Sequence, residues 1–147
     1  MKIFLFTLGI AIIVICFIVI KVNYLNPQKP NAETNGHVFS LYLATTSKDQ
    51  ETGLSKFNKI GKDQGMLFIF QTADYYSFWM RDMHFPIDII FINKNKIVDI
   101  FKKAPVIKNG KLPIYTTHTK ADKVLEINSG LSDEYKIKIG DKININL

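Results

Sequence analysis

Cysteine is almost missing from this 147-residue chain. The one cysteine, Cys16, lies in an apolar run near the start. The remainder therefore has no intrachain disulfide and no thiolate chemistry. Arginine is reduced to Arg81 and tryptophan to Trp79, and the three histidines, His37, His84 and His118, are scattered. No His-x-His or His-x-x-x-His spacing occurs, so neither a metal nor another cofactor is expected. No Gly-x-Ser-x-Gly is present, which argues against a serine hydrolase of that type. The chain carries a net charge of +6, but its lysines do not gather into the basic stripe that nucleic-acid binding needs, and no nucleic-acid partner is expected. Lys2 and Lys21 flank the apolar run, and without them seventeen basic residues face thirteen acids. Internal repeats and low-complexity segments are also lacking.

A long hydrophobic run, by contrast, is present. Ile3–Ile20 is eighteen residues without a charge, fourteen of them Ile, Leu, Val or Phe. As a helix it would span about 27 Å, close to the hydrocarbon thickness of a bilayer. Those fourteen side chains favour insertion by roughly 4–8 kcal/mol. Val22-Asn23-Tyr24 offers no small-x-small cleavage site, and Cys16 sits mid-run rather than at a lipoprotein junction. The reading is an uncleaved signal anchor over residues 1–22, with a cleaved peptide as the alternative. Residues 23–36, with Asn26-Pro27, Lys29-Pro30 and Asn35-Gly36, read as a linker. Residues 37–147 read as one domain. The expected location is the cytoplasmic membrane, single-pass, with the domain on the periplasmic or outer side.

Within that domain His37–Ala44 alternates as a first strand. Ser47 and Gln50 suggest a capping box opening a helix near Lys48–Asn58. Met66–Phe70 is a continuous apolar run, as for a strand buried on both faces, and Gln71–Tyr76 reads as a loop. Asn93–Lys96 reads as a tight turn into a strand over Ile97–Phe101. Ala104–Pro113 is a long polar loop, Lys123–Asn128 a strand, Ser129–Tyr135 a helical turn, and Ile137–Leu147 an alternating segment around Gly140-Asp141. The fold class expected is mainly β: a compact antiparallel sandwich or jelly-roll-like domain with one short helix, behind an N-terminal transmembrane helix.

The centre of the chain is Ser77–Asn93, SFWMRDMHFPIDIIFIN. Pro86 holds Phe85 extended, which divides the stretch into a strand (Phe78–Met80), a loop (Arg81–Pro86) and a longer strand (Ile87–Asn93). The period of two puts Ile87, Ile89 and Phe91 on one face and Asp88 on the other with Ile90 and Ile92. A carboxylate on an apolar face needs a partner, and Arg81 is the expected one. The run Gly65–Phe70, then Phe78-Trp79-Met80-Arg81, then Pro86–Phe91, with Val124–Ile127, Gly130 and Gly140-Asp141, resembles the domain of unknown function 192 family. The resemblance covers roughly Val38 to Leu147. It implies a compact, mostly β domain of jelly-roll-like type, found behind signal or anchor segments, and it brings no activity with it. Ser55 stands where that family's pattern usually has Met in Gly-Leu-Met, and Asp82 where a polar residue often follows the Arg or Lys.

The candidate ligand-binding residues are Trp79, Arg81, His84, Tyr115 and His118. Arg81 with Asp82 or Asp88 could clamp an anion, or simply brace the corner. Trp79 could stack on a ligand or anchor the core. His84 near Asp82 and Asp88 makes these three the candidates for acid–base work. Glu126 alternates with Leu125 and Ile127 and is expected at solvent or a rim, or else completing a pocket with Arg81. The two loops flanking the Ile87–Phe101 hairpin should emerge on one side as a single shallow site. The expected function is a non-catalytic binding module for an envelope glycan, peptide or protein. The alternatives are a hydrolase-like enzyme on an envelope polymer, using Asp82 or Asp88 with His84, and an accessory factor for another membrane protein.

Overall fold

Strand β5, Ile87–Asn93, is buried on both faces, and the architecture follows from that. The computed structural model describes residues 15–16 and 29–147. Among the described residues nine strands form, in order, β1 (Asn31–Thr34), β2 (His37–Ala44), β3 (Gln64–Asp74), β4 (Ser77–Trp79), β5, β6 (Lys96–Ala104), β7 (Ile114–Thr116), β8 (Ala121–Asn128) and β9 (Asn144–Asn146). Helix α1 (Ser47–Thr52) runs into a 3-10 turn at Gly53–Lys56, and α2 is the single turn Leu131–Glu134. Seven strands make one sheet in the order β6-β5-β8-β3-β2-β1-β9, and β4 and β7 make a separate ribbon.

The fold is mainly β, as expected, but the sheet is mixed. β2 and β3 pair in parallel, Leu41 opposite Gly65 and Leu43 opposite Leu67. A parallel pair requires a crossover of a dozen residues or more. Residues 45–63, containing α1 and the 3-10 turn, supply it. The helix is shorter than the apolar stripe suggested because Gly53 (φ 52°) ends it. Its cap is Thr46, one residue before the expected Ser47: Asp49 N–H donates to Thr46 Oγ1 (3.1 Å), and the hydroxyl donates to Asp49 Oδ2 (2.6 Å).

The sheet also begins earlier than expected. Asn31–Thr34, within the stretch read as linker, pairs with both β2 and β9. The Asn35-Gly36 turn, both residues at positive φ, closes the β1–β2 hairpin. β3 continues to Asp74 through what looked like a loop, whereas the last alternating segment contributes only Asn144–Asn146. Before β9, residues 138–143 bond back to the start of β6: Gly140 N–H to Ile97 O (2.8 Å), Ile97 N–H to Asp141 O (3.0 Å) and Ile143 N–H to Asn95 O (3.0 Å). The sheet is thereby curled, its two edges drawn together.

Curling gives the sheet two apolar faces. Phe39, Leu67, Ile90, Ile92, Leu125 and Ile127 pack in one cluster. Met66, Phe68, Ile87, Ile89, Phe91 and Val124 belong to the other, which Leu54 of the 3-10 turn, Phe57 after it and the β4–β7 ribbon cover. Phe78 on the ribbon meets Phe68 and Phe91 edge-on, with centroids 4.9 and 5.7 Å apart. The close approach of β3 and β8 depends on Gly65, where an added Cβ would lie 2.7 Å from the Glu126 carbonyl oxygen and 3.0 Å from Leu125 Cδ1. Backbone cannot yield as a side-chain tip can. Gly65→Ala is expected to destabilise the fold by about 1–3 kcal/mol or more. An unchanged urea midpoint in that variant would contradict this account of the β3–β8 spacing. Among the described residues no helix is long and apolar enough to cross a membrane. The anchor expected over Ile3–Ile20 lies outside the described residues apart from residues 15 and 16.

Candidate functional site

The crossover and the ribbon leave a gap between them above the sheet, and Glu126 sits at its floor. β8 runs between β5 and β3, opposite Ile89 on one side and Met66 on the other. Both faces of so central a strand are covered, so the alternation of Glu126 with Leu125 and Ile127 does not place it at solvent. The residue is only 5% exposed. It lines a pocket of about 180 Å³ with α1 and the 3-10 turn on one side and β4 on the other. Leu54, Phe68, Phe70, Phe78 and Met83 give the pocket apolar walls, and Glu51, Trp79 and Arg81 also line it. Gly53 borders the floor: a Cβ there would stand in ordinary contact, 3.4 Å from Phe68 Cζ and 3.9 Å from Glu126 Oε2, so it is the positive φ of 52° and not space that favours glycine.

The electrostatics are unusual. Glu126 Oε2 is buried without a hydrogen-bond partner among the described residues. Burial pushes the carboxyl pKa up to about 8, so the group is largely protonated at neutral pH. At the rim, Arg81 lies 4.5 Å above the Trp79 ring and 3.2 Å from Glu51 Oε1. Trp79 is half exposed, and its cross-strand neighbour Ile114 is exposed as well.

Arg81 does not pair with Asp88. The Asp88 carboxylate is fully buried on the opposite face of the sheet, with Ile90 and Ile92. Its Oδ1 accepts from the N–H groups of Lys103 (2.7 Å) and Gly130 (3.0 Å), and its Oδ2 from Ser132 N–H (2.8 Å). A pairing irregularity between Ile87 and Ile89 puts Lys102 and Lys103 opposite this one residue, and the carboxylate satisfies the amide that the bulge frees. Asp88 is therefore structural and unavailable to His84.

The other candidates fall into two groups, and the loops flanking the β5–β6 hairpin meet in the first of them, where Asp82 and His84 border one hollow with Val106, Ile107 and Lys108. Asp82 stands there at φ 59°, and Ser55 also borders this separate open hollow. Tyr115 pairs with Phe78 across the ribbon and packs on Phe101, and burial raises its hydroxyl pKa. His118 flanks the same Phe101, with Nδ1 2.8 Å from Asp99 Oδ2. Neither His84, Tyr115 nor His118 lines the Glu126 pocket; Trp79 and Arg81 do. Among the described residues no group of three His, Cys, Asp or Glu side chains is placed to hold a metal ion.

The model of the DUF192 family, described as "Uncharacterized ACR", matches residues 30–145. The chain belongs to the DUF192 family. Two solved structures share its fold. A protein of unknown function from Novosphingobium aromaticivorans DSM 12444 is 33% identical, with a TM-score of 0.69, over 78% of this chain and 82% of that one. A candidate transcription regulator from Sinorhizobium meliloti 1021 is 25% identical, with a TM-score of 0.70, over 79% of this chain and 91% of that one. No curated protein matches. In this family member three of the stretches that carried the resemblance contribute to the pocket, through Phe68 and Phe70, Phe78-Trp79 with Arg81, and Glu126.

Proposed function

We propose that this DUF192 protein is a single-pass protein of the cytoplasmic membrane, held by residues 3–20. Its β domain lies outside the cytoplasm and binds, without catalysing a reaction, one small group presented by an envelope glycan, peptide or protein. The observation that carries the binding reading is the buried Glu126 carboxyl, unpartnered and set among aromatic walls. A buried polar group without a partner is costly, and a ligand that supplies the partner removes that cost. The hydroxyls on the pocket are already engaged, Thr52 donating to Lys48 O and Ser77 bonded to Thr116. None stands next to a base as an activated nucleophile would. A volume near 180 Å³ is below the roughly 300 Å³ of the smaller drug-sized sites, which suits a single side group.

Trp79 is the sole tryptophan and sits on the rim, so its emission reports on the pocket. Titrating the full chain in detergent micelles with peptidoglycan fragments and envelope peptides is expected to shift that emission. No shift with any of them would end the binding reading, and turnover of a fragment would end the non-catalytic one. For topology, a reporter fused after Leu147 is expected to be active only outside the cytoplasm, and activity confined to the cytoplasm would overturn the placement.

A further inference from the structure

We propose that the group this pocket receives is an alkylammonium, a lysine-type side chain whose methylene stem lies along the aromatic wall and whose ammonium pairs with Glu126. The proposal rests on the binding reading above and names the ligand chemistry of that site.

Three features select a cation on an apolar stem. The rings of Phe68, Phe70, Phe78 and Trp79 line one small volume, and aromatic faces attract cations. The Arg81 guanidinium already occupies the Trp79 face at 4.5 Å, which leaves the Phe68, Phe70 and Phe78 rings to an incoming cation. The polar group at the floor is a carboxyl with a buried, unpartnered oxygen, the natural complement of an ammonium. At the rim Arg81 is already paired with Glu51, and an anionic ligand reaching deeper would meet only apolar walls and negative ring faces above Glu126. A sugar ring would need polar partners around its whole edge, whereas the deep walls are Leu54, Phe68, Phe78 and Met83. A methylene stem needs none.

Pairing with an ammonium requires Glu126 to give up its proton, which sets a pH dependence. The other titratable groups on the pocket are Glu51 on α1 and Tyr76 and Arg81 at the two ends of β4. The neighbouring strands present Met66, Phe68 and Ile89 to Glu126. Burial holds the Glu126 carboxyl near pKa 8, whereas a lysine ammonium stays charged to about pH 10. Affinity should therefore rise with pH up to about 8 and then level off.

The test uses the full chain in micelles and the emission of Trp79. The probes are N-acetyl-lysine methylamide, its ε-acetylated neutral form, N-acetyl-norleucine methylamide and glucosamine. The lysine probe is expected to bind at least about tenfold more tightly than the other three. Its affinity should rise by up to about tenfold per pH unit between pH 6 and 8. Glu126→Gln should remove both the preference and the pH dependence. If that variant does not fold, the ε-acetyl comparison and the pH series on the unaltered chain decide the matter alone. Neutral probes binding as tightly as the lysine probe would overturn the ammonium assignment while leaving the binding pocket standing. Glucosamine binding as tightly would overturn the lysine-type assignment in favour of an amino sugar. Silence from these probes together with the envelope fragments would overturn both the assignment and the binding reading.

Discussion

Replacing Asp88 with Ala is expected to lower the unfolding free energy by about 3–5 kcal/mol, because three backbone donors, one buried and two part-buried, lose a fully buried charged acceptor together. Those donors, on Lys103, Gly130 and Ser132, come from the β6 bulge and from the corner where β8 turns into α2. The loss should thus loosen two junctions that are distant in sequence. Asp88→Asn keeps one carbonyl oxygen but turns an amide –NH2 toward at least one N–H donor, so an intermediate loss is expected. Arg81→Ala should change stability by no more than about 1 kcal/mol, since its pairing with Glu51 is at the exposed rim. Urea unfolding of the three variants provides the measurement. An Arg81→Ala loss as large as that of Asp88→Ala would mean that the two side chains depend on each other after all.

The contrast between Asp88 and Arg81 shows where sequence reasoning stops. The face of β5 that carries Asp88 is legible, because the period of two is unbroken from Ile87 to Asn93 and both ends carry turn or proline signals. The partner is not legible. A buried carboxylate announces a need for donors, but bulge and corner amides have no residue type, and they reach Asp88 from 15, 42 and 44 positions along the chain. β2 and β5 were readable to the residue, their patterns being clean. β1 was not, since Asn31-Ala32-Glu33-Thr34 offers one apolar side chain and gains its strand character from the neighbours that pair with it. The parallel β2–β3 pair is not legible either: many short strands with a single helix read as an antiparallel sandwich, and nothing in the two strand patterns marks the direction of their pairing.

Glu126 shows the same boundary from the functional side. Alternation around it is real, but its meaning depends on whether the strand has a solvent face, and the position of β8 between β5 and β3 removes that face. The clue that was present is the company it keeps. Val124, Leu125 and Ile127 surround it without another polar residue, the mark of a strand covered on both sides. Trp79 and Arg81, in contrast, stand out in the sequence by rarity, and both line the pocket, although the partner expected for Arg81 was an aspartate and not the Trp79 ring.

Glu126→Gln is expected to stabilise the protein above neutral pH and to remove a slope from its stability curve. In the unfolded chain the carboxyl titrates near its ordinary 4.5, and in the fold near 8. Below pH 4.5 both states hold the proton and burial of the neutral acid costs nothing further. Between the two values the unfolded state has lost the proton that the folded state keeps. Raising the pH therefore favours unfolding, by up to about 1.4 kcal/mol per unit. Over the whole window this amounts to roughly 3–5 kcal/mol, and the change ends once the folded state also ionises. The glutamine variant has no proton to lose, so the difference between the two unfolding curves, measured from pH 4 to pH 9, isolates this one group. A flat difference would show that Glu126 is hydrated and ionised in the fold, and the pocket would then lack its polar floor. The expected sign also bears on function. A side chain that destabilises the resting fold at neutral pH stands at the floor of an aromatic pocket, where apolar packing would serve stability better. A bound ammonium would reverse the balance by giving the carboxylate its missing partner. Saturating lysine probe should raise the stability of the unaltered chain at pH 8 more than at pH 6, following ligand linkage, and should leave Glu126→Gln unchanged.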